Sequence, residues 1–172
     1  GDAANSVTTV DANVAATKTL TIDTTINATT VSTISIAAET NGGITILGGN
    51  GGNTITASVS SVGDTITGGT GTDGVTIAVA QLTAADTING VSGTDTITLS
   101  DGGSLSDADF TGVTNFDALT FSNTATTLVA GSEFEESGIA TITAGTGADT
   151  ITLGAGVTSA VTVAMGTSAG DD

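Results

Sequence analysis

The sequence predicts an all-β fold, a right-handed parallel β-helix (a β-solenoid) with coils of roughly 22 residues. Three observations predict it. A short Thr-Ile-Thr phrase recurs along the chain, the apolar centres of these phrases are evenly spaced, and Gly, Asp, Asn or Ser residues bound each phrase. A β-sandwich, which also has short strands between turns, is the alternative. We expect a single domain over residues 1–172.

The recurring phrases have the β-branched alternation that is typical of strands. In the most regular part, the central positions are 11 residues apart: Ile44, Ile55, Ile66, Ile77 and Ile88. One strand and one turn in each such unit leave no room for helices, and two units fit one coil. The two-unit step also relates Ile88 to Phe110 and Ile97 to Leu119, so we expect these side chains to stack inside the solenoid.

Two segments depart from this rhythm. Residues 101–117 are rich in Gly, Ser and Asp, and they predict an irregular loop at the edge of the solenoid. Residues 131–138 contain Glu133, Glu135 and Glu136, the one local cluster of charge, and the strand phase shifts there. We therefore expect a second irregular segment at 131–138, with room for a short helical turn.

The residue types that are missing argue against catalysis. The chain has no His, Cys, Trp, Tyr or Pro, and Lys18 is its single cation. It therefore lacks an imidazole base, a thiolate nucleophile and the usual zinc ligands. Glu133 and Glu135 could form a glycosidase pair, but the Arg, Lys and aromatic residues that hold a sugar are scarce. We expect the protein not to be an enzyme.

The net charge of −17 limits the partners. Nucleic acid and anionic membrane surfaces would be repelled, and no apolar run is long enough to insert into a bilayer. Regularly spaced Ile, Val and Leu residues indicate an ordered framework, so the charge must be offset, and divalent cations are the obvious candidates. The Thr-, Gly- and Asp-rich composition without Cys is typical of bacterial proteins that are secreted to the cell surface.

Glycine-rich turns supply the best local motif. Residues 68–76 match the nonapeptide G-G-x-G-x-D-x-U-x in full, and residues 48–56, 90–98 and 144–152 match it with one substitution each. The glycines allow positive φ and turn backbone carbonyls inward, while Asp73 adds a carboxylate. Such a set of oxygen atoms suits Ca²⁺.

The spacing of the acidic residues predicts two ladders along the edges of the solenoid. Asn53, Asp73, Asp95 and Asp117 follow one another at steps close to one coil. A second series runs through Asp64 and Asp86 to Asp107 or Asp109. Stacked carboxylates about 5 Å apart would repel by roughly 3 kcal/mol per pair, and bridging calcium ions would remove that cost. The alternative is that these residues are simply exposed, screened turn residues. The predicted ligands of multiple calcium ions are Asn53, Asp64, Gly69, Gly71, Asp73, Asp86, Asp95, Asp107, Asp109, Asp117, Asp149, Asp171 and Asp172.

These motifs resemble the calcium-binding β-rolls of the repeats-in-toxin (RTX) family. The resemblance is closer to the RTX-like surface-layer (S-layer) proteins of alphaproteobacteria, whose Gly, Phe-acidic and Leu phrase is similar to residues 112–120. It implies an extracellular structural protein, part of an S-layer, sheath or filament. The implied partners are further copies of the chain, with cell-surface polysaccharide as a second class. A calcium-folding module of a larger secreted enzyme or adhesin is the alternative.

The last residues and the Thr-x-Thr arrays lead to two further predictions. Gly170, Asp171 and Asp172 read as the first half of another acidic turn, so we expect a segment of a larger or self-assembling protein. Thr-x-Thr arrays at strand spacing can bind ice, which is a third candidate function. Ile77, Asn89 and the loop at 101–117 are expected to interrupt such an array.

Overall fold

The computed structural model describes residues 3–167, so the predicted ligands Asp171 and Asp172 lie outside the described residues. Within this range the chain forms an all-β parallel solenoid of about 7 turns with little helix, which confirms the predicted fold class. Strand partners in neighbouring coils lie roughly 22 residues apart in the sequence. Every described strand pair is parallel, whereas a β-sandwich is built from antiparallel pairs.

The longest of the three sheets has one strand from each successive turn of the chain. Its strands are short because Thr-x-Thr phrases are bounded by Gly and Asp turns. We call it the eight-stranded sheet. In spatial order its strands are β1 (Asn5–Thr8), β3 (Ser32–Ser35), β5 (Asn53–Thr56), β7 (Asp73–Ile77), β9 (Thr96–Leu99), β12 (Ala118–Thr120), β14 (Thr141–Thr143) and β16 (Thr162–Ala164).

Two smaller parallel sheets complete the solenoid across the described residues. The five-stranded sheet has the order β11 (Val113–Thr114), β8 (Thr87–Val91), β6 (Thr65–Gly69), β4 (Gly43–Leu47) and β2 (Thr19–Asp23). The three-stranded sheet has the order β10 (Gly103–Leu105), β13 (Thr126–Ala130) and β15 (Thr150–Leu153). No helix within residues 3–167 is long and apolar enough to cross a membrane.

Aliphatic side chains stack inside the coils because alternate strand residues point inward. In the eight-stranded sheet the inward column is Ile34, Ile55, Val75, Ile97, Leu119 and Ile142, and all six are buried. The predicted stacking of Ile97 on Leu119 is therefore confirmed. Aliphatic residues fill most of this narrow interior, and the four Phe side chains are the aromatic residues buried in it.

The sequence predicts a uniform step of two units between stacked residues, and this prediction is wrong for some strand pairs. Ile55 pairs with Val75 rather than Ile77, and Ile66 pairs with Ile46. The reason is that these coils are slightly shorter than two units of the predicted repeat, so the residue at the centre of a phrase shifts along the strand and stays on the inner face. The predicted step from Ile88 to Phe110 is also wrong, because that coil is longer and Ile88 pairs with Val113.

The two irregular segments pack against each other. Residues 101–117 contain β10, a 3₁₀ helix at Asp107–Phe110 and β11, and residues 131–138 contain the short helix α1 (Ser132–Glu136). The Phe110 and Phe134 side chains are fully buried, with ring centroids 5.2 Å apart in an edge-to-face arrangement. Further 3₁₀ turns lie at Asp11–Asn13 and Val79–Gln81.

Candidate functional site

Four of the predicted ligands form one column at the N-terminal ends of four strands in the eight-stranded sheet. Asn53 and Asp73 are the first residues of β5 and β7, and they are register partners. Asp95 and Asp117 lie directly before β9 and β12 in the next coils. We call these four residues the Asp column. Asn53, Asp73 and Asp95 are buried, so they are not the exposed turn residues of the alternative interpretation, whereas Asp117 is exposed.

One oxygen of each carboxylate in the Asp column accepts a hydrogen bond from a residue of the preceding coil. The backbone N–H of Asp73 donates to Oδ1 of Asp95 at 2.8 Å, and the backbone N–H of Asp95 donates to Oδ2 of Asp117 at 2.7 Å. At the other end, Nδ2 of Asn53 donates to Oδ1 of Asp73 at 2.8 Å. These bonds tie each strand start to the next coil and account for one oxygen of each acid.

The second oxygens of Asp73 and Asp95 have no partner. Both Oδ2 atoms are buried without a hydrogen bond, and the two residues are 1% and 0% exposed. Buried polar atoms are nearly always paired, so an orphaned carboxylate oxygen is a candidate position for a proton, a water molecule or a cation. The orphaned oxygens are therefore the most informative feature of the Asp column.

Asn53 fills this position with an uncharged amide, whose Oδ1 is buried without a hydrogen bond. Its Nδ2 group also donates to the carbonyls of Gly49 and Gly68, at 3.0 Å and 3.1 Å. In the next coil Asp73 takes the same place with an oxygen instead of an N–H₂ group. A Cβ on Gly68 would collide with Oδ2 of Asp73 and with the Gly90 carbonyl, so both oxygens face the same small space.

The same arrangement recurs one coil further along. A Cβ on Gly90 would collide with Oδ2 of Asp95 and with the carbonyl oxygen of Asn115. In two successive coils, therefore, a carboxylate oxygen lies close to a backbone carbonyl oxygen, and both atoms are acceptors. At the equivalent place one coil earlier, the amide nitrogen of Asn53 is a donor. Either a proton or a cation resolves such a contact, and the chain's own side chains supply neither at this position.

The pKa values of the column follow from burial. Burial raises the pKa of Asp73 to about 6; the charge on Asp95 adds to the rise, and the hydrogen bond from Asn53 opposes it. Burial also raises the pKa of Asp95, and Asp117 adds to that rise. Both shifts mean that the surroundings disfavour the charged form of these carboxylates, and a bound cation would favour it.

A surface cavity of about 370 Å³ opens at one end of the Asp column. It is lined by Val91, Ser92, Gly93, Asp95, Asn115, Phe116, Asp117 and Gly138. Val91 and Asn115 have positive φ angles of 75° and 58°, which is uncommon for residues other than glycine. The cavity is thus lined by two acidic residues, Asp95 and Asp117, and the Asn115 carbonyl oxygen lies close to Oδ2 of Asp95.

This oxygen-only set of donors fits Ca²⁺, which takes six to eight oxygen ligands from carboxylates, carbonyls and water. Within residues 3–167, no group of three or more His, Cys, Asp or Glu side chains could hold a metal ion. A calcium ion here would therefore rely on Asp95 and Asp117 for its charge and on backbone carbonyls and water for the rest of its shell.

The second predicted ladder is satisfied by the protein itself. Asp64 accepts from the Ile44 N–H at 3.1 Å and from the Ser58 hydroxyl at 2.7 Å. Asp86 accepts from the Asp64 N–H at 2.8 Å and, through its other oxygen, from the N–H of Thr83 at 2.9 Å. Asp64 and Asp86 are brought together as predicted, but neither has an orphaned oxygen.

The predicted extension of this ladder to Asp107 or Asp109 is wrong. The coil after β8 is longer, and Gly112 takes the place beside Asp86. Asp109 instead accepts from the Ser106 N–H at 2.8 Å, within its own 3₁₀ turn. Asp107 accepts from backbone N–H groups at the start of α1.

Gly69 and Gly71 of the full nonapeptide, and Asp149, also contact neighbouring coils. The Gly69 carbonyl accepts from the Ser92 N–H at 3.2 Å, and the Gly71 carbonyl packs against Gly93. Asp149 accepts from the Thr126 N–H at 2.8 Å, and its Oδ2 is a further buried oxygen without a partner. These contacts join coils, a role that the nonapeptide motif alone does not reveal.

Sequence reasoning missed further acidic residues that accept backbone hydrogen bonds, among them Asp11, Asp101 and Glu39. Asp11 accepts from the Thr40 N–H at 3.0 Å. Asp101 accepts from the Val79 N–H at 2.7 Å, and the separation of one coil between them was the signal that could have found it. Glu39 is fully buried and accepts from the N–H groups of Asn41 and Gly42 through Oε1, while Oε2 has no partner. No periodic signal marks Glu39.

Comparison with family models, with curated proteins and with solved structures finds no match to this chain.

Proposed function

We propose that the protein is a non-catalytic, calcium-stabilised building block of an extracellular bacterial surface structure, such as an S-layer, a sheath or a filament. The observation that carries the proposal is the Asp column, in which buried carboxylate oxygens face carbonyl oxygens at two successive levels. The proposal extends the resemblance to RTX-like surface-layer proteins, and the column supports its calcium-dependent part.

The excess of acidic over basic residues supports the binding of an external cation. The chain carries 18 acidic residues and one basic residue, Lys18, so it has almost no internal counter-charge. An uncompensated buried charge costs several kcal/mol, which is a large part of the stability of a domain. Calcium outside the cell is abundant enough to fill weak sites, since extracellular modules bind it with dissociation constants of about 10⁻⁴–10⁻³ M.

The architecture supports a structural role. In a parallel solenoid, each coil binds the next through the exposed edges of its strands, and stability accumulates from one coil to the next. Further coils or further copies can extend the three sheets through the same hydrogen bonds. The scarcity of catalytic residue types is consistent with such a role.

Chelation tests the proposal. Circular dichroism and electron microscopy of the purified chain would be recorded in millimolar Ca²⁺, after addition of EGTA, and with Mg²⁺ as the control cation. We expect EGTA to reduce the β-sheet signal or the thermal stability and to disperse assemblies, and Ca²⁺ but not Mg²⁺ to restore both. A fold and an assembly that are both indifferent to EGTA would overturn the proposal.

A further inference from the structure

The outer face of the eight-stranded sheet is built mostly of threonine. Alternate residues of each strand point outward, and the strand register aligns them in two columns. One column contains Thr33, Thr54, Thr96, Thr141 and Thr162. The other contains Thr8, Thr56, Thr76, Thr98, Thr120 and Thr143. We call these two columns the Thr face.

The Thr face carries no charge, although the chain has a net charge of −17. Its remaining described positions are Ser, Gly or Ala, such as Gly74 and Ala118, which interrupt the first column. The acids of this part of the chain lie outside the two columns: Asp73 and Asp95 are buried inside the coils, and the exposed Asp117 lies directly before β12. The sequence thus separates its acidic groups from one extended, neutral face.

The hydroxyl groups of the Thr face are available to an external ligand. Among the side-chain hydrogen bonds of residues 3–167, none involves a threonine of these two columns. Threonine is stiff at χ1 because it is branched at Cβ, so each methyl and hydroxyl pair has few orientations to lose on binding. The face is therefore a preorganised array of small apolar and hydrogen-bonding groups.

The array is periodic in two directions. Neighbouring strands are about 4.8 Å apart and alternate residues along a strand are about 6.8 Å apart. The expected interruptions are not on this face: Ile77 is buried, Asn89 belongs to the five-stranded sheet, and residues 101–117 lie between β9 and β12. The eight strands pair without a bulge and extend the array over roughly 34 Å.

We propose that the Thr face binds ice. A folded protein partner would need large apolar or aromatic anchors, and a soluble ligand would need a concave pocket, and the face offers neither. A charged ligand would find no opposite charge. A crystal of water presents a neutral, repeating lattice of hydrogen-bonding groups with spacings of the same order as those of the two threonine columns. This inference is independent of the calcium proposal.

Thermal hysteresis and ice-crystal shaping test the inference on the full chain in calcium-containing buffer. We expect the protein to lower the freezing point below the melting point and to shape ice crystals. Thr98→Tyr, at the centre of the face, should lose most of this activity, because the bulky ring lifts the array from the lattice. Thr127→Tyr, at an exposed outward position of the three-stranded sheet, is the matched control and should keep it.

A gain-of-function variant sharpens the test. A Cβ at Gly74 meets no atom within 4 Å, so Gly74→Thr can fill the gap in the first column and should raise the hysteresis. Absence of hysteresis and shaping in the folded wild-type protein would overturn the inference. Equal loss in Thr98→Tyr and Thr127→Tyr would also overturn it, as would retention on insoluble polysaccharide without any effect on ice.

Discussion

At the scale of single residues, Asn53 and Asp73 occupy equivalent positions in neighbouring coils and differ in one side-chain group. The amide nitrogen of Asn53 donates to the carbonyls of Gly49 and Gly68, whereas Oδ2 of Asp73 is buried beside the Gly90 carbonyl without a partner. Asn53 is therefore the chain's own reference for an uncharged residue at this position, although its Oδ1 is also buried without a hydrogen bond.

Replacing Asp73 by the residue of that reference position should stabilise the chelated protein. In Asp73→Asn the new amide can donate to the Gly90 carbonyl as Asn53 does to Gly68, so we expect the free energy of unfolding in EGTA to rise by about 1–3 kcal/mol. Asp101→Asn is the control, because Asp101 makes the same kind of coil-to-coil bond but is exposed. Urea unfolding measures both, and a destabilised Asp73→Asn protein would contradict the argument.

The same carboxylate predicts a pH dependence. The folded-state pKa of Asp73 is about 6, above its ordinary value of 3.8, so the folded chain binds more protons than the unfolded chain between these values. Stability should therefore fall as pH rises from about 4 to about 6. We expect chelated protein to unfold at higher urea concentration at pH 5 than at pH 7. The Asp73→Asn variant should lose part of this gain; an unchanged pH profile would contradict the assignment.

At the scale of elements, helix α1 depends on a residue from the preceding coil. Oδ1 of Asp107 accepts from the N–H groups of Gly131 and Phe134 at 2.7 Å and 2.9 Å, and Oδ2 accepts from Glu133 at 3.2 Å. Burial alone would raise the pKa of Asp107, but these backbone hydrogen bonds outweigh it and lower the pKa. The carboxylate thus holds the first turn of α1.

Asp107→Ala should therefore destabilise the protein by about 1–3 kcal/mol, because it leaves these N–H groups without their acceptor. Amide hydrogen exchange should accelerate in residues 131–138 first. Asp109→Ala is the comparison, since Asp109 caps only its own 3₁₀ turn. Unchanged exchange in residues 131–138 of the Asp107→Ala protein would show that α1 is held by other contacts, such as the Phe110–Phe134 pair.

Two glycines in consecutive strands of different sheets, Gly74 in β7 and Gly90 in β8, give a matched pair of substitutions. Gly90→Ala would place a methyl group against Asp95 and the Asn115 carbonyl, and we expect a loss of about 1–3 kcal/mol. Gly74→Ala meets open space and should leave stability unchanged or slightly raised. Thermal unfolding compares them, and equal effects would show that the close approach at Gly90 is unimportant.

The elements show where sequence reasoning succeeds. The Thr-Ile-Thr phrases became strands because their alternation and turns agree, and Ile97 stacks on Leu119 as the two-unit step predicts. The register failed at Ile55 and Ile88, since the coils differ in length and a single period cannot follow them. The coil-to-coil hydrogen bonds of the Asp column were out of reach, because spacing shows that acids stack but not which atoms face which.

At the scale of the whole molecule, the neutral Thr face and the Asp column, which is buried except at Asp117, are two groups of polar residues with different proposed roles. The solenoid was predictable because each coil repeats the same inward aliphatic positions, and one error in register does not change the architecture. The acidic composition predicted that a counter-charge is needed, and the structure adds where the uncompensated oxygens lie, at Asp73 and Asp95.

The calcium dependence of unfolding tests the central claim most directly. Thermal unfolding would be followed during a calcium titration for the wild-type chain and for the Asp95→Asn/Asp117→Asn double variant, which removes both carboxylates of the cavity, each starting in EGTA. We expect calcium to raise the midpoint temperature of the wild-type chain. At 100 times the dissociation constant, each site should add about 2.7 kcal/mol to the free energy of unfolding, and the double variant should respond far less. A wild-type midpoint that is the same in calcium and in EGTA would contradict the account.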